Sequence, residues 1–322
     1  DNVCVFVSRS NHKLEIRLLE RDPSAALMIS VEDLVAKDLA EISQDLGGIY
    51  EHSSWVAEAL IQSPDAVRSL QTVTELAKAM REIVDHASHE QKINLLCAHP
   101  DLCEKVAKLK ELTKDSQEEQ SRAGLQSMEG EELANFTQMN NSYREKFKFP
   151  FILAVRNATK YTVLSALEGR LPNTPEKEIA AAMEQVHKIA WMRILTKYYS
   201  ASYPGFLTCH ILDTANGCPA AKMRTSLTRL SPPESAGIVG EFVTNDDGRL
   251  EGGPALKGKD FIVGVYEWNF YAGDYFASKG TFTSGQPFLD VIPLRFGIDN
   301  PDDHYHVPLL VSPWGFSTYR GS

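Results

Sequence analysis

The chain has 322 residues, 43% hydrophobic and 24% charged, which is ordinary globular usage and past the size at which one core stops growing, so two domains are expected. Its formal net charge is −10, and no lysine- or arginine-rich block could track a phosphate backbone or an anionic bilayer, so neither nucleic acid nor a membrane is an expected partner. The five cysteines (Cys4, Cys97, Cys103, Cys209, Cys218) are odd in number and form no CxxC pair, which argues against a disulfide framework and a cysteine zinc site and fits a reducing compartment.

The opening stretch DNVCVFVSRS lacks the long apolar core of a secretory signal, and no run approaches the ~20 apolar residues a spanning helix needs. Secretion is therefore not expected, and residues 1–28 form an extension without an assignable role. Glycine divides the rest: five of the 20 fall before Tyr203 and fifteen after it. Helices avoid interior glycine and tight β-turns need it, so the first part reads as α and the second as β.

In chain order, Ser30 precedes VEDLVAKDLAEISQDLGG, where Asp33 suits a capping box. Leu34, Leu39, Ile42 and Leu46 keep a helical period, and Gly47-Gly48 supplies a stop. Further amphipathic segments are expected around 65–87, 116–128 and 131–147, and Thr174-Pro175 opens a last long helix with proline at its first position. Pro204-Gly205 breaks the pattern after a run of small residues. The expected layout is a helical domain over 29–200, a linker over 201–204 and a β domain over 205–322. In the last, FLTCHIL, AGIVGEFVT, DFIVGVYEW, DVIPLRFGI and YHVPLLVS read as strands of a β-sandwich, with NDDGR as an Asp-Gly turn.

Two stretches of the helical part carry polar chemistry that a bundle does not need. In CAHPDLCEK, Pro100 and Asp101 suit the first helical positions, which would place His99 at the cap and keep its ring neutral beside the positive end of the helix dipole; taken alone, a plain capping role is the favoured reading. In LTKDSQEEQSRAGL, Ser116 and Glu119 stand in the S-x-x-E relation of a capping box. With Thr113 as the cap instead, the two share one helical face and could meet a ligand together.

These stretches, with GGIYEHSSWVAE, NNSYREKFKFPFILAVR and KIAWMRIL, occur in the order and spacing of a known family. From about Ile29 to Tyr199 the chain resembles the decarboxylases of 2-oxo-4-hydroxy-4-carboxy-5-ureidoimidazoline (OHCU). The resemblance implies an all-helical, cofactor-free enzyme that makes (S)-allantoin. It places the catalytic histidine on His99 with Pro100 beside it, the catalytic glutamate on Glu119, and substrate contacts on Ser116, Gln120 and Arg193. Backbone groups of Phe151, Ile152, Leu153, Ala154 and Val155 would bind the ring or ureido group. The family pattern has proline where Ser54 stands, alanine where Cys103 stands and glycine where Lys148 stands, which makes the pocket-entry backbone at Lys148 the least settled element. His52 lies within a family motif and suits a structural helix-start role as well.

In the β part, His304 and His306 lie one residue apart on an expected strand and so share a face, while Tyr305 points away. With His210 they could suit zinc, but no acidic or cysteine fourth ligand is signalled, and no metal or other cofactor is expected. Alone, Arg249 reads as a solvated turn residue and His210 as a core histidine. LTCHILDTANGCPAAKM, TNDDGRL and the ending HYHVPLLVSPWGFSTYRGS together resemble the transthyretin-related 5-hydroxyisourate hydrolases over nearly all of 205–322. Phe316 replaces a tyrosine of that pattern. The resemblance implies a tetrameric sandwich with sites between paired subunits, catalytic His210, Arg249 and His306, and a pocket wall that includes Tyr319 and Ser322.

Taken together, the expectation is a multidomain α and β protein with two active sites for small-molecule substrates. It would hydrolyse 5-hydroxyisourate to OHCU and decarboxylate that to (S)-allantoin, as a homo-oligomer joining a dimer of helical domains to a tetramer of β domains. The competing class is a transthyretin-like carrier with an inert bundle, against which the retention of His210, Arg249, His306 and the YRGS end speaks. A peroxisomal or cytoplasmic location suits such an enzyme, although no Ser-Lys-Leu type address closes the chain.

Overall fold

The computed structural model of the chain describes residues 3–10, 13–20, 28–101, 128, 130–155, 158–202, 205–281 and 285–321. Strands β1 (Val3–Ser10) and β2 (Lys13–Glu20) pair antiparallel as a ribbon of their own. The helical part then opens at β3 (Ile29–Ser30), α1 (Val31–Ala36) and α2 (Leu39–Leu46). Sequence periodicity reads α1 and α2 as one helix, but the chain is extended at Lys37 and Asp38. The Asp38 side chain accepts from the Glu41 N–H while Glu41 returns to the Asp38 N–H, and this reciprocal cap stabilises a fresh helix start more than a continued turn would.

The same competition divides the expected 65–87 segment. After α3 (Trp55–Leu60), α4 (Pro64–Arg68) ends and Thr72 forms a capping box with Glu75 to begin α5 (Val73–Asp85). Ser88 and Gln91 start α6 (His89–Ala98) in the same way. Of the expected 116–128 segment, residues 116–127 lie outside the described residues. Helices α7 (Gly130–Phe147), α8 (Lys160–Arg170) and α9 (Pro175–Lys197) follow, the last beginning at Thr174-Pro175 as the sequence indicates. Strand β4 (Tyr198–Tyr199) pairs in parallel with β3 and ties the two ends of the helical part together.

On α5, Val73, Leu76, Met80 and Val84 recur at helical spacing and are all buried in a core shared with Leu34, Ile42, Phe136, Tyr143 and Val186. Inside that core lies a carboxylate, Glu178, with no exposed surface. Arg170 donates to it at 2.8 and 2.5 Å, Asn173 donates at 2.7 Å, and the Tyr143 hydroxyl donates to it as well. A buried charge is tolerable only when its lone pairs are filled in this way. Arg170 also donates to the Ile152 carbonyl at 2.8 Å and so fixes the chain at the start of the Phe151–Val155 run.

The β part is a sandwich of β5 (Phe206–Asp213), β6 (Cys218–Pro219), β7 (Arg224–Ser231), β8 (Gly237–Val243), β9 (Leu256–Lys257), β10 (Gly264–Tyr271), β11 (Val291–Ile298), β12 (His304–Ser312) and β13 (Gly315–Thr318). One sheet runs β11-β10-β7-β8 and the other β13-β12-β5-β6, with β9 on β5. A short helix, α10 (Ala272–Ser278), joins β10 to β11. Strand β7 is absent from the sequence expectation because RTSLTRLS has few apolar residues, yet it lies inside its sheet with Thr225 and Leu227 fully buried. Trp268, Tyr266 and Phe270 of β10 meet Leu207, Cys209 and Ile211 of β5 in a core separate from the helical one.

The loop before β12 docks on the helical part. The Asp302 carboxylate accepts from the Thr74 N–H at 3.0 Å, the Thr74 hydroxyl at 2.6 Å and the Ser200 hydroxyl at 2.7 Å, while the Trp191 indole donates to the Asp299 carbonyl. These bonds hold the base of β12 against the start of α5.

Lys148 follows α7 with φ +65° and donates its N–H to the Arg144 carbonyl, the left-handed cap in which glycine is favoured. Its exposed side chain gains little from this place. Lys148→Gly is therefore expected to stabilise the protein by about 0.5–1 kcal/mol, as the ~1–2 kcal/mol left-handed strain is partly offset by the greater unfolded-state freedom of glycine; chemical denaturation checks it.

Candidate active sites

The helical candidate site gathers around the end of α6. His99 caps the end of that helix just after Ala98, in an extended conformation with its N–H on the Leu96 carbonyl, and neither Pro100 nor Asp101 is helical. The expected placement at a helix N-terminus is thus corrected: the Ser88 cap starts a helix that runs through Ala98, and Pro100 marks where it stops. The ring is buried at 6% exposure and its Nδ1 lies 2.8 Å from the Leu95 carbonyl. A carbonyl only accepts, so Nδ1 carries a hydrogen and Nε2 is the nitrogen of the neutral ring that can accept one. Asp101, buried next in the chain, takes both oxygens' contacts from the Asn140 amide at 3.1 and 3.2 Å and pairs with Arg144 at 3.3 Å.

Arg193 reaches the same region from α9. It donates to the Gly48 and Ile49 carbonyls at 3.3 and 3.2 Å and forms an ion pair with Glu51. Burial pushes the Glu51 carboxyl up, but the Arg193 charge and hydrogen bond, with His99 and His52, outweigh it and hold the carboxyl below its ordinary value. Glu51, inside the YEHSS stretch, is therefore held as an anion by Arg193, a contact that sequence reasoning missed. His52 beside it has φ +45° and an exposed side chain.

Of the run Phe151–Val155, Phe151, Ile152 and Val155 are buried and Leu153 and Ala154 half-buried. Several of its backbone groups already have protein partners: the Ile152 carbonyl accepts from Arg170, the Ala154 N–H donates to Gln185 at 3.2 Å and the Val155 carbonyl accepts from Ala158. Pro100 is half-buried next to His99, whereas Ser116, Glu119 and Gln120 lie outside the described residues.

The β candidate site follows from strand register. Parallel pairing sets His304 against Phe206, His306 against Thr208 and Pro308 against His210. Along β5, Leu207, Cys209 and Ile211 face the core, so Phe206, Thr208 and His210 share the other face with His304 and His306. The backbone of Arg249 bridges to His210, which brings the NDDGR turn to the same place, and Gly248 at its tip has φ +75°. A side chain there would put its first carbon 2.3 Å from the Ile211 carbonyl, so the turn admits only glycine.

A cavity of about 310 Å³ opens here, lined by Thr208, Asn245, Arg249, Leu250 and Pro254 among others. The rings of His210 and His306 are 6.4 Å apart, and those of His304 and His306 are 6.0 Å apart. His210 Nε2 lies 2.9 Å from the Asp247 carbonyl and so carries a hydrogen, which leaves Nδ1 as its acceptor. Burial lowers the pKa of His306 below the ordinary 6.5, reinforced by the charges of Arg249, His304 and His210. A neutral imidazole beside a fixed guanidinium can take a proton from water while the cation holds an anionic substrate. Among the described residues no group of three or more histidine, cysteine or acidic side chains is arranged to hold a metal ion.

Gly321 comes close to the same site. It pairs with His306, donating its N–H to the His306 carbonyl at 2.9 Å, and an added side-chain carbon would lie 2.7 Å from Cδ2 of the His306 ring. Tyr319, by contrast, is 61% exposed on this chain, and Arg320 stacks on Tyr305 and reaches Asp303. Ser322 lies outside the described residues.

Residues 36–195 match the OHCU decarboxylase family and residues 207–321 the HIUase/Transthyretin family. A 5-hydroxyisourate hydrolase 2 of Rhizobium meliloti is 50% identical over 121 residues, 38% of this chain and 99% of that protein. A 2-oxo-4-hydroxy-4-carboxy-5-ureidoimidazoline decarboxylase of Haloferax volcanii is 38% identical over 154 residues, 48% of this chain and 87% of that protein. A crystal structure of (S)-allantoin synthase superposes with a TM-score of 0.76 at 63% identity, covering 91% of this chain and 100% of that one.

Gly321→Ala is expected to displace the His306 ring, read as a shift of its imidazole proton resonances in NMR. Gly315→Ala serves as the comparison, since Gly315, like Gly321, lies outside the left-handed region but has no atom within 4 Å of the added carbon. Equal effects on His306 from the two variants would contradict the steric account.

Proposed function

The chain belongs to the OHCU decarboxylase family through its helical part and to the HIUase/transthyretin family through its β part, and on that footing we propose that it catalyses two consecutive reactions. The β site hydrolyses 5-hydroxyisourate to OHCU, and the helical site decarboxylates OHCU to (S)-allantoin. The observation that carries this reading is the meeting of His210, Arg249 and His306, with the two imidazoles 6.4 Å apart, the Arg249 backbone bridged to His210 and Arg249 lining the adjoining cavity, on a polypeptide whose helical part also pairs Arg193 with Glu51.

Opening the lactam needs an activated water and a holder for negative charge. His306, neutral at pH 7, supplies the base, His210 the second imidazole, and Arg249 binds the anionic purine through its forked donors. On the family resemblance, Tyr319 and Ser322 contribute to substrate binding at this site. In the helical site, loss of carbon dioxide leaves negative charge on the ring; on this reading the Arg193 guanidinium stabilises it while His99 Nε2 exchanges a proton with the substrate. Pro100, Ser116, Glu119, Gln120 and the backbone of Phe151–Val155 form the rest of that pocket on this reading, with the bonded groups of Ile152 and Ala154 acting as supports for the run. The domains run over 29–200 and 205–322, joined by 201–204.

Neither step calls for a metal or an organic cofactor, so chelation is expected to leave both rates unchanged. Trp314, Phe316 and Tyr319 are 69%, 46% and 61% exposed around β13, an apolar surface that suits burial against a second subunit in a homo-oligomer. Among the described residues no helix is long and apolar enough to cross a membrane.

The test mixes freshly made 5-hydroxyisourate with wild type, His306→Ala and His99→Ala, and follows ultraviolet absorbance and circular dichroism. His306→Ala is expected to leave hydroxyisourate to its spontaneous decay, and His99→Ala to accumulate OHCU. Decay at the uncatalysed rate in wild type as well sinks the enzymatic reading. Because the pKa of His306 lies below the ordinary histidine value, the hydrolase rate is expected to fall on the acid side with a midpoint below pH 6.5, read from the pH profile of kcat/KM.

A further inference from the structure

One contact on the β site lies outside every role assigned so far. The Thr208 hydroxyl stands between two imidazoles, 2.8 Å from His304 Nε2 and 2.9 Å from His306 Nδ1. Strand register builds it: Thr208 is the cross-strand partner of His306, and Phe206, two residues earlier, is the partner of His304. Phe206 also stacks on His304 with centroids 4.1 Å apart and planes 23° from parallel, so the outer imidazole is held flat in one place. Three half-buried polar side chains thus form a continuous line whose inner end lies next to His210 and Arg249.

A hydroxyl has one hydrogen, so a line of this kind has a direction. In one arrangement His306 Nδ1–H donates to Thr208, Thr208 donates to His304 Nε2, and His306 Nε2 is a base. In the other, His304 Nε2–H donates to Thr208, Thr208 donates to His306 Nδ1, and His306 Nε2 carries a hydrogen as an acid. Hydrolysis needs both forms in succession.

We infer that Thr208 is a positioning residue for His306 and that His304 is its distal proton partner, in a His304–Thr208–His306 relay that switches His306 between base and acid within one turnover. The inference rests on the hydrolase reading above. As water attacks the lactam carbon and the new C–O bond forms, its proton passes to His306 Nε2. The Nδ1 hydrogen moves to Thr208, the Thr208 hydrogen moves to His304 Nε2, and His304 becomes the cation. When the C–N bond breaks, the leaving nitrogen takes the Nε2 hydrogen, the two transfers reverse, and His304 returns to neutral. Protons and charge balance without a co-reactant. The other charged or titratable groups acting on His306 are Arg249 from the turn and His210 on β5.

The test uses the full chain. Thr208→Val keeps the shape and removes the hydroxyl; kcat for 5-hydroxyisourate is expected to fall about tenfold or more with KM little changed, and the acid limb of the pH profile to move. Thr208→Ser is expected to restore kcat to within about threefold, and adding His304→Gln to Thr208→Val to cause no further loss, because one line is already broken. Wild-type kcat and pH profile in Thr208→Val overturn the relay, as does a serine variant no better than valine. If His306→Ala is also fully active, the hydrolase reading of the site has failed instead. Nitrogen NMR of the wild-type imidazoles gives an answer even where a variant does not fold. The relay requires that one of His306 Nδ1 and His304 Nε2 is protonated and the other is not at neutral pH; finding both in the same state overturns it.

Discussion

The parallel pairing of β5 with β12 is the constraint on which the β site depends. It joins a strand from the start of the sandwich to one near the end of the chain, 98 residues on from Phe206 to His304, in a register that sets Phe206, Thr208 and His210 opposite His304, His306 and Pro308. A slip of one residue would turn every one of these side chains to the other face, into the core held by Leu207, Cys209, Tyr305 and Val307. Burial of those four residues therefore fixes the polar face as firmly as the core. A parallel pair cannot be closed by a tight hairpin, so the rest of the sandwich is the crossover that makes this adjacency possible.

The helical site depends on a different device, buried charge that is fully paired. Glu178 anchors Arg170, which holds the Ile152 carbonyl; Glu51 anchors Arg193, which also holds the Gly48 and Ile49 carbonyls. Each carboxylate orients one cation, and each cation braces a segment of irregular backbone that the helices alone would leave loose. Such pairs contribute little net stability after desolvation, but removing one partner strands the other charge, so the arrangement specifies geometry more than it adds energy.

Contact between the two parts falls at the foot of β12. Asp302, two residues before His304, accepts from Thr74 and Ser200, and Trp191 holds the Asp299 carbonyl. The strand that carries His304 and His306 is thereby seated on the start of α5 and the side of α9.

Residue chemistry along the chain determined much about this protein. Glycine distribution and apolar periodicity separated an α part from a β part, the Thr174-Pro175 start opened α9, and the local motifs carried both family likenesses. Local competition between signals hid the rest: Asp38 and Thr72 each start a new helix inside an apparently continuous period, and Ser88 starts one that ends at Ala98 and leaves His99 as its C-terminal cap instead of the N-terminal cap of another. Strand β7 escaped notice because burial of Thr225 depends on neighbours rather than on its own polarity. Only tertiary structure decided that Glu51 meets Arg193 and that Thr208 lies between two histidines. Those contacts join residues 142 and about a hundred positions apart, and a distance of that kind is set by which faces pack together, something no local pattern encodes.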